Sequence, residues 1–340
     1  MKKLSVIVVA LLLAFGLAAC AQAPGESPEA DADGGASGGG GAATDVADGT
    51  ADGNAAAEEQ GLWPCTVTDA LGREVVIEQA PQKPALIFFR NFEHMFALDV
   101  PPYAATDVSD VYKGWASLAP FAATHEIIDL GDMNAPNLEK LLEVAPDLII
   151  VYSGVYEEIG DDLDKMATTV AVSNYGDDWQ TPLKEYGKML GKEDAAEEEI
   201  ERLSTLLKEG GQELAALGDK TVACVALQSA KEFLVYNVES VYSKDAGLGL
   251  TPPAGFVEKS RETISLEGLA EFNPDYLLVY DNMTNTADED LIAELSGSAV
   301  WNSLSAVQGD NVHLIDRSAF SGGPLSIEYG TEAIRTALLG

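Results

Sequence analysis

The segment NLEKLLEVAPDLIIVY, Asn137–Tyr152, returns 128 residues later as SLEGLAEFNPDYLLVY, Ser265–Tyr280. Leu, Glu, Leu, Glu, Pro-Asp and Val-Tyr fall at matching positions without a gap. Solenoid repeats recur roughly every 20 to 50 residues, so this spacing signals two similar lobes rather than a stacked array. The form of the repeat is physical. Leucines at helical spacing end at a proline, which cannot supply the next backbone donor. Asp then leads into a strand too apolar to face water on either side, as in a parallel sheet covered on both faces. Glu139 and Glu267 stand near the two helix starts, where the helix dipole favours a carboxylate. On the residues alone the plainer reading is that both are helix-capping acids.

Outward from the repeat, Thr66–Glu78 (TVTDALGREVVIE) alternates on either side of Leu71-Gly72 and reads as a hairpin. Ala85–Phe89 (ALIFF) is an apolar run of strand length, and RNFEHMFAL after it has helical spacing. AATDVS and TVAVS read as further strands, EEIGDDLDKMA as a helix. Strands alternating with helices of about ten residues indicate parallel α/β units. From Asp178 to Leu217 the chain turns helical, with Ile200, Leu203, Leu206, Leu207 and Leu214 on one stripe. Gly210-Gly211 marks a candidate kink or break within it. After Gly218 the α/β pattern restarts with TVACVAL, and EDLIAELSGSAVWNSL, NVHLID and LSIEYGTEAIRTALL close the chain. The expected fold is α/β: two lobes, each with a mainly parallel sheet flanked by helices, joined by a long backbone helix. Residues 62–178 form the first lobe, 179–218 the interlobe helical segment and 219–340 the second lobe.

The front of the chain is different. Lys2 and Lys3 precede SVIVVALLLAFGLAA, an apolar run with the length of a signal peptide core rather than a settled transmembrane helix. It ends in Leu17-Ala18-Ala19-Cys20, which resembles a bacterial lipobox. That resemblance implies a signal peptide over 1–19, cleavage before Cys20 and lipidation of its thiol. Ala21–Gly61 has no Lys, Arg or aromatic residue, so it cannot bury enough apolar surface to offset its ordering entropy. Residues 20–61 therefore read as a lipidated cysteine and a disordered acidic tether of roughly 35 Å reach. A tether of this length favours a Gram-positive surface.

The formal charge of −36 excludes a nucleic-acid partner, because a phosphate backbone needs a basic footprint. It also means that an anionic ligand would need a locally basic pocket. Cys65 and Cys224 remain, one at the start of the folded body and one inside TVACVAL. Export permits a disulfide between them, and two free thiols are the alternative. His94, His125 and His313 lack ligand spacing, which argues against a direct metal receptor. G-x-S-x-G, Walker A and strand-following G-x-G-x-x-G motifs are absent. GASGGGG falls in the acidic tether, where a phosphate would be repelled. The expectation is a binding protein, not an enzyme, without a cofactor of its own. A structural adhesin does not fit the bilobed pattern.

Several of these features together resemble one family. The lipobox, TVTDALGREVVI followed by a proline and a strand, NLEKLLEVAPDLII, the long mid-chain helix and AVWNSLSAVQGDNVHLID look like the iron–siderophore substrate-binding lipoproteins of ABC importers. The resemblance covers the body from about Thr66 onward. It implies a monomeric receptor, lipid-anchored to the outer face of the cytoplasmic membrane, that hands a ferric siderophore to a permease. Iron would enter only as part of the bound chelate. It further implies that one acid on each lobe, Glu139 and Glu267 with Glu143 and Glu271 nearby, docks against basic residues of the permease. Relatives that bind haem or cobalamin keep that alternative open, with His94-Met95 or Met133 as candidate axial ligands.

Ligands of open α/β sheets bind beyond the carboxyl ends of the strands. Those ends present Arg90, Tyr152 with Tyr156, and Trp179 in the first half. In the second half they present Gln228, Tyr280 and Arg317, with Trp115 on a loop. Aromatic rings would pack on chelator rings, and arginines would attract anionic oxygens. Hydroxamate-binding relatives often carry Arg or His where this chain has Tyr156, a departure that leaves the siderophore class open.

Overall fold

The computed structural model describes residues 62–174, 178–281 and 289–340. The leader, Cys20 and the acidic tether lie outside these. Strands β1 (Cys65–Thr68) and β2 (Glu74–Ile77) pair as the expected hairpin, with Gly72 at φ 76° in its turn, where a side chain would be strained. The first lobe follows as β3 (Pro84–Ile87), α1 (Phe92–Ala97), β4 (Ala104–Ala105) and β5 (Ile128–Asp129), then α2 (Leu138–Val144), β6 (Leu148–Tyr152), α3 (Ser153–Leu163) and β7 (Thr168–Val172). Its five strands are all parallel, in the order β5-β4-β3-β6-β7.

Helices α4 (Gln180–Leu190) and α5 (Glu193–Leu214) then lead to the second lobe. It contains β8 (Val222–Ser229), β9 (Glu232–Val235), β10 (Thr263–Ser265) and α6 (Leu266–Phe272), followed by β11 (Tyr276–Asp281), α7 (Glu289–Ser296), β12 (Val312–Ile315) and α8 (Pro324–Leu339). Its sheet runs β10-β9-β8-β11-β12, with β8, β11 and β12 parallel. Strands β9 and β10 add antiparallel. The β8–β9 link is too short for a crossover, so only an antiparallel return is open to it. The two lobes and mainly parallel sheets are thus as expected. Terminal helix α8 packs along α5 and returns to the first lobe, against α1 and the turn Ala116–Leu118.

The repeat has a structural explanation in both lobes. Asn137 caps α2 by accepting from Lys140 N at 2.9 Å, and Ser265 caps α6 by accepting from Gly268 N at 3.1 Å. Both helices end on a left-handed residue, Ala145 at φ 49° and Asn273 at φ 41°, just before the proline. The Asp of each Pro-Asp pair satisfies backbone donors at the entry to the neighbouring strand. Asp147 accepts from the amides of Gln82 (2.6 Å) and Lys83 (2.9 Å) ahead of β3, and Asp275 accepts from Thr221 N (2.9 Å) ahead of β8. Strands β6 and β11, which follow, pair with those same strands.

Three local expectations change. Helix α5 runs unbroken through Gly210-Gly211. The glycines answer close packing instead: a Cβ would stand 2.9 Å from Thr331 Cγ2 at the first and 2.9 Å from the Leu248 carbonyl oxygen at the second. AATDVS keeps only two strand residues, because Asp107 turns left-handed at φ 58° and starts a wide helical turn. Helix α7 stops at Ser296, before Gly297. Cys65 and Cys224 are both free thiols. Burial in β8 pushes the Cys224 thiol up to about 12.

Candidate functional site

The carboxyl ends of the first sheet deliver an aromatic path toward the second lobe. Tyr152, closing β6, stacks on Phe88 at 4.9 Å between ring centroids. Phe88 meets Phe89 edge-on at 6.0 Å, and Phe89 meets Trp115 edge-on at 6.3 Å. The guanidinium carbon of Arg90 lies 5.6 Å from the Phe89 ring. Across the lobe boundary, the Arg317 guanidinium lies 5.1 Å from the Trp115 ring. Arg317 opens a 3₁₀ turn, Arg317–Phe320, whose last residue packs on Tyr280 at 4.9 Å; Tyr280 in turn meets Tyr236 at 5.7 Å. Contacts between rings and guanidinium groups therefore pass from one lobe to the other.

Backbone contacts hold the lobes together at this point. Ala116 N donates to Asp316 Oδ1 at 3.3 Å and Ser117 N donates to Ser318 Oγ at 3.1 Å. Trp115 is 5 % exposed, and among the described residues its indole N–H has no hydrogen-bond partner. A buried donor without an acceptor is costly, so a ligand oxygen would be welcome there. Two of the chain's six arginines, Arg90 and Arg317, flank this tryptophan's surroundings from opposite lobes.

The structure brings Arg90, Trp115, Tyr152, Tyr280 and Arg317 into this arrangement, while the contacts of the other three candidates are of other kinds. The Tyr156 hydroxyl donates to Asp164 Oδ2 at 2.7 Å and accepts from Arg73, whose guanidinium covers the ring at 3.9 Å. Arg73 also donates to the Thr169 carbonyl at 3.2 Å, so Tyr156 belongs to the cluster tying the β1–β2 hairpin to edge strand β7. Trp179 is buried in the main core at the entry to α4. Gln228 accepts from Thr263 Oγ1 at 2.8 Å, linking β8 to edge strand β10. Sequence reasoning passed over Phe88, Phe89, Tyr236 and Phe320. The carboxyl-end rule that selected Arg90 applies to the two phenylalanines beside it, which had been absorbed into the strand run.

The axial-ligand pair considered for haem is buried in the core. His94 is 3 % exposed and Met95 fully buried inside the first lobe, with the His94 ring stacked on Tyr186 at 5.5 Å. Burial pulls His94 down to about 3, so it is neutral. Met133 is partly buried against both core clusters.

Glu139 and Glu267 are exposed in the first turns of α2 and α6. Asn137 N donates to the Leu130 carbonyl just past β5, and Leu266 N donates to the Lys231 carbonyl just past β8. Both helix starts therefore sit at the carboxyl edges of their sheets, the rim that also carries the aromatic path. Glu143 and Glu271, one turn on, are exposed as well. A cavity of about 760 Å³ lies instead between α5 and the loop around Leu248, near the amino end of β8. Its wall has Lys208, Lys220 and Lys244 but no aromatic ring, and ligands of open α/β sheets bind at the opposite edge.

Comparison with known proteins shows what the chain as a whole resembles. The iron-uptake system-binding protein of Bacillus subtilis is 28 % identical over 233 residues, covering 66 % of this chain and 71 % of its own length. The iron(3+)-hydroxamate-binding protein FhuD of the same organism is 30 % identical over 228 residues, covering 63 % and 69 %. The crystal structure of the triscatecholate siderophore-binding protein FeuA from B. subtilis, complexed with ferri-bacillibactin, superposes with a TM-score of 0.64 at 26 % identity. That superposition covers 81 % of this chain and 98 % of FeuA. Residues 90–319 match the family model described as periplasmic binding protein. They run from the first arginine of the aromatic path to the turn that carries the second, and by that match the chain belongs to the periplasmic binding protein family.

Proposed function

We propose that this protein is an extracytoplasmic receptor that captures a ferric siderophore or a similar iron chelate between its lobes and delivers it to an ABC importer. The observation that carries this reading is the cross-lobe pair Trp115–Arg317, with Arg90 on the first lobe. A ferric siderophore offers flat chelating rings and anionic oxygens, which aromatic faces and guanidinium forks bind together. Ferric iron arrives within the chelate as cargo, and the protein performs no chemistry on it. The iron-binding relatives of known specificity support the same class.

Glu139 and Glu267 are the docking acids for the permease, one on each lobe and both on the ligand rim. Cys20 carries the lipid anchor and the acidic segment is the tether. Tryptophan quenching of the purified protein with ferric hydroxamate, ferric catecholate, ferric citrate, haem and cobalamin tests the reading. Saturable submicromolar quenching by one ferric chelate is expected. Tight binding of haem or cobalamin alone would overturn the ligand class. For docking, charge reversal at Glu139 with Glu267 should abolish uptake while leaving binding intact; intact uptake would refute it.

A further inference from the structure

Glu93 is a carboxylate inside the protein, with no exposed surface. It sits in α1, three residues past Arg90, and collects hydrogen bonds from two other segments. Its Oε1 accepts from Ser117 Oγ at 2.9 Å and from Ser321 Oγ at 3.0 Å, and its Oε2 accepts from Ser326 N at 2.8 Å. Ser117 lies two residues after Trp115, and Ser321 lies four after Arg317. The Ser326 amide belongs to the first turn of α8, a helix whose own N-cap residue, Gly323, has no side chain to offer. Glu93 thus supplies that cap from the opposite lobe. Gly323 is required by this arrangement, since a Cβ there would overlap Glu93 Oε2.

We infer that Glu93 is the positioning residue of the interlobe site. One carboxylate joins the three segments that carry Arg90, Trp115 and Arg317, and so sets the spacing of the groups that grip the ligand without touching it. The inference rests on the proposed ligand role of those three residues. It assigns the geometry of the rim to hydrogen bonds that cross the lobes, in addition to the stiffness of α5. Losing such a hydrogen bond inside a protein leaves its buried partners unsatisfied, which weakens what it holds by about tenfold or more.

The test places spin labels on the two lobes, at Glu126→Cys and Glu258→Cys, in the full chain with Cys20 and Cys65 replaced by serine. Both labelled positions are exposed. Electron–electron double resonance then reads the interlobe distance in three backgrounds. Glu93→Ala should broaden or shift the distribution. Glu93→Gln should restore it, because an amide accepts from Ser326 N and donates to the two serine hydroxyls. Affinity for whichever ferric chelate of the panel quenches the wild type should fall about tenfold in Glu93→Ala and stay within about threefold in Glu93→Gln. A folded Glu93→Ala protein with unchanged distances, or with shifted distances and unchanged affinity, would overturn the positioning role. Should that variant not fold, Ser117→Ala with Ser321→Ala removes only the hydroxyl donors, and the same readouts decide. Unchanged affinity in Trp115→Ala and Arg317→Ala would instead refute the ligand reading, leaving the distance result to judge Glu93.

Discussion

Replacing Glu93 by glutamine should stabilise this protein at pH 8 and leave it nearly unchanged at pH 4. Burial raises the Glu93 carboxyl from its ordinary 4.5 to about 7, against the lowering effect of its bonds to Ser326, Ser117 and Ser321. The sign follows from linkage. Below pH 4.5 both folded and unfolded chains hold the proton, so the site adds no pH dependence. Between 4.5 and 7 the unfolded chain ionises while the folded one keeps its proton, so stability falls as pH rises. Above 7 both are ionised and the loss levels off. The difference amounts to about 3 kcal/mol at 1.36 kcal/mol per pH unit. Glutamine imitates the protonated acid at every pH and escapes that loss. For a body of this size the gain corresponds to a melting temperature higher by on the order of 6 to 9 °C at pH 8. Paired thermal melts of wild type and Glu93→Gln from pH 4 to 8.5 measure it, since all other titrating groups cancel in the difference. A difference that stays flat with pH, or a variant less stable at pH 8, would refute the assignment of a buried, strained carboxylate.

Three further outcomes follow from particular contacts. Arg90→Ala and Arg317→Ala should each weaken binding of the ferric chelate by roughly 1.5 to 3 kcal/mol, read by fluorescence titration, if their guanidinium groups meet ligand oxygens. Gly211→Ala should destabilise the protein by roughly 1 to 3 kcal/mol in urea unfolding, because the new methyl meets the Leu248 carbonyl at 2.9 Å. Native alkylation followed by mass spectrometry should modify the partly exposed Cys65 and spare Cys224, whose thiol is buried and held up at about 12.

Much of the architecture was legible because it is written in local patterns. The duplicated segment announced two lobes, since a capped helix, a proline stop and a doubly buried strand each have a short-range signature. Alternation around Gly72 marked the hairpin in the same way. Arg90, Tyr152, Tyr280 and Arg317 could be placed on the rim because the topology of parallel sheets puts strand carboxyl ends together. The same rule also selected Tyr156, Trp179 and Gln228, which the chain uses for hairpin, core and edge-strand contacts. Position along the chain does not reveal which neighbour a side chain meets. Gly210-Gly211 read as a break for a similar reason, as its cause lies in residues distant along the chain.

By itself, then, the sequence determined the α/β class, the two-lobed repeat, the charge that a ligand must contend with and the residues at the strand ends. Only the tertiary structure decided that Phe88, Phe89 and Phe320 complete an aromatic path, that Trp115 meets Arg317 across the lobes, and that Glu93 is buried between them. Glu93 finds its partners 24, 228 and 233 residues away. Helical spacing around it gives no sign of this, because a carboxylate's cost of burial is set by hydrogen bonds that exist only once distant segments have come together.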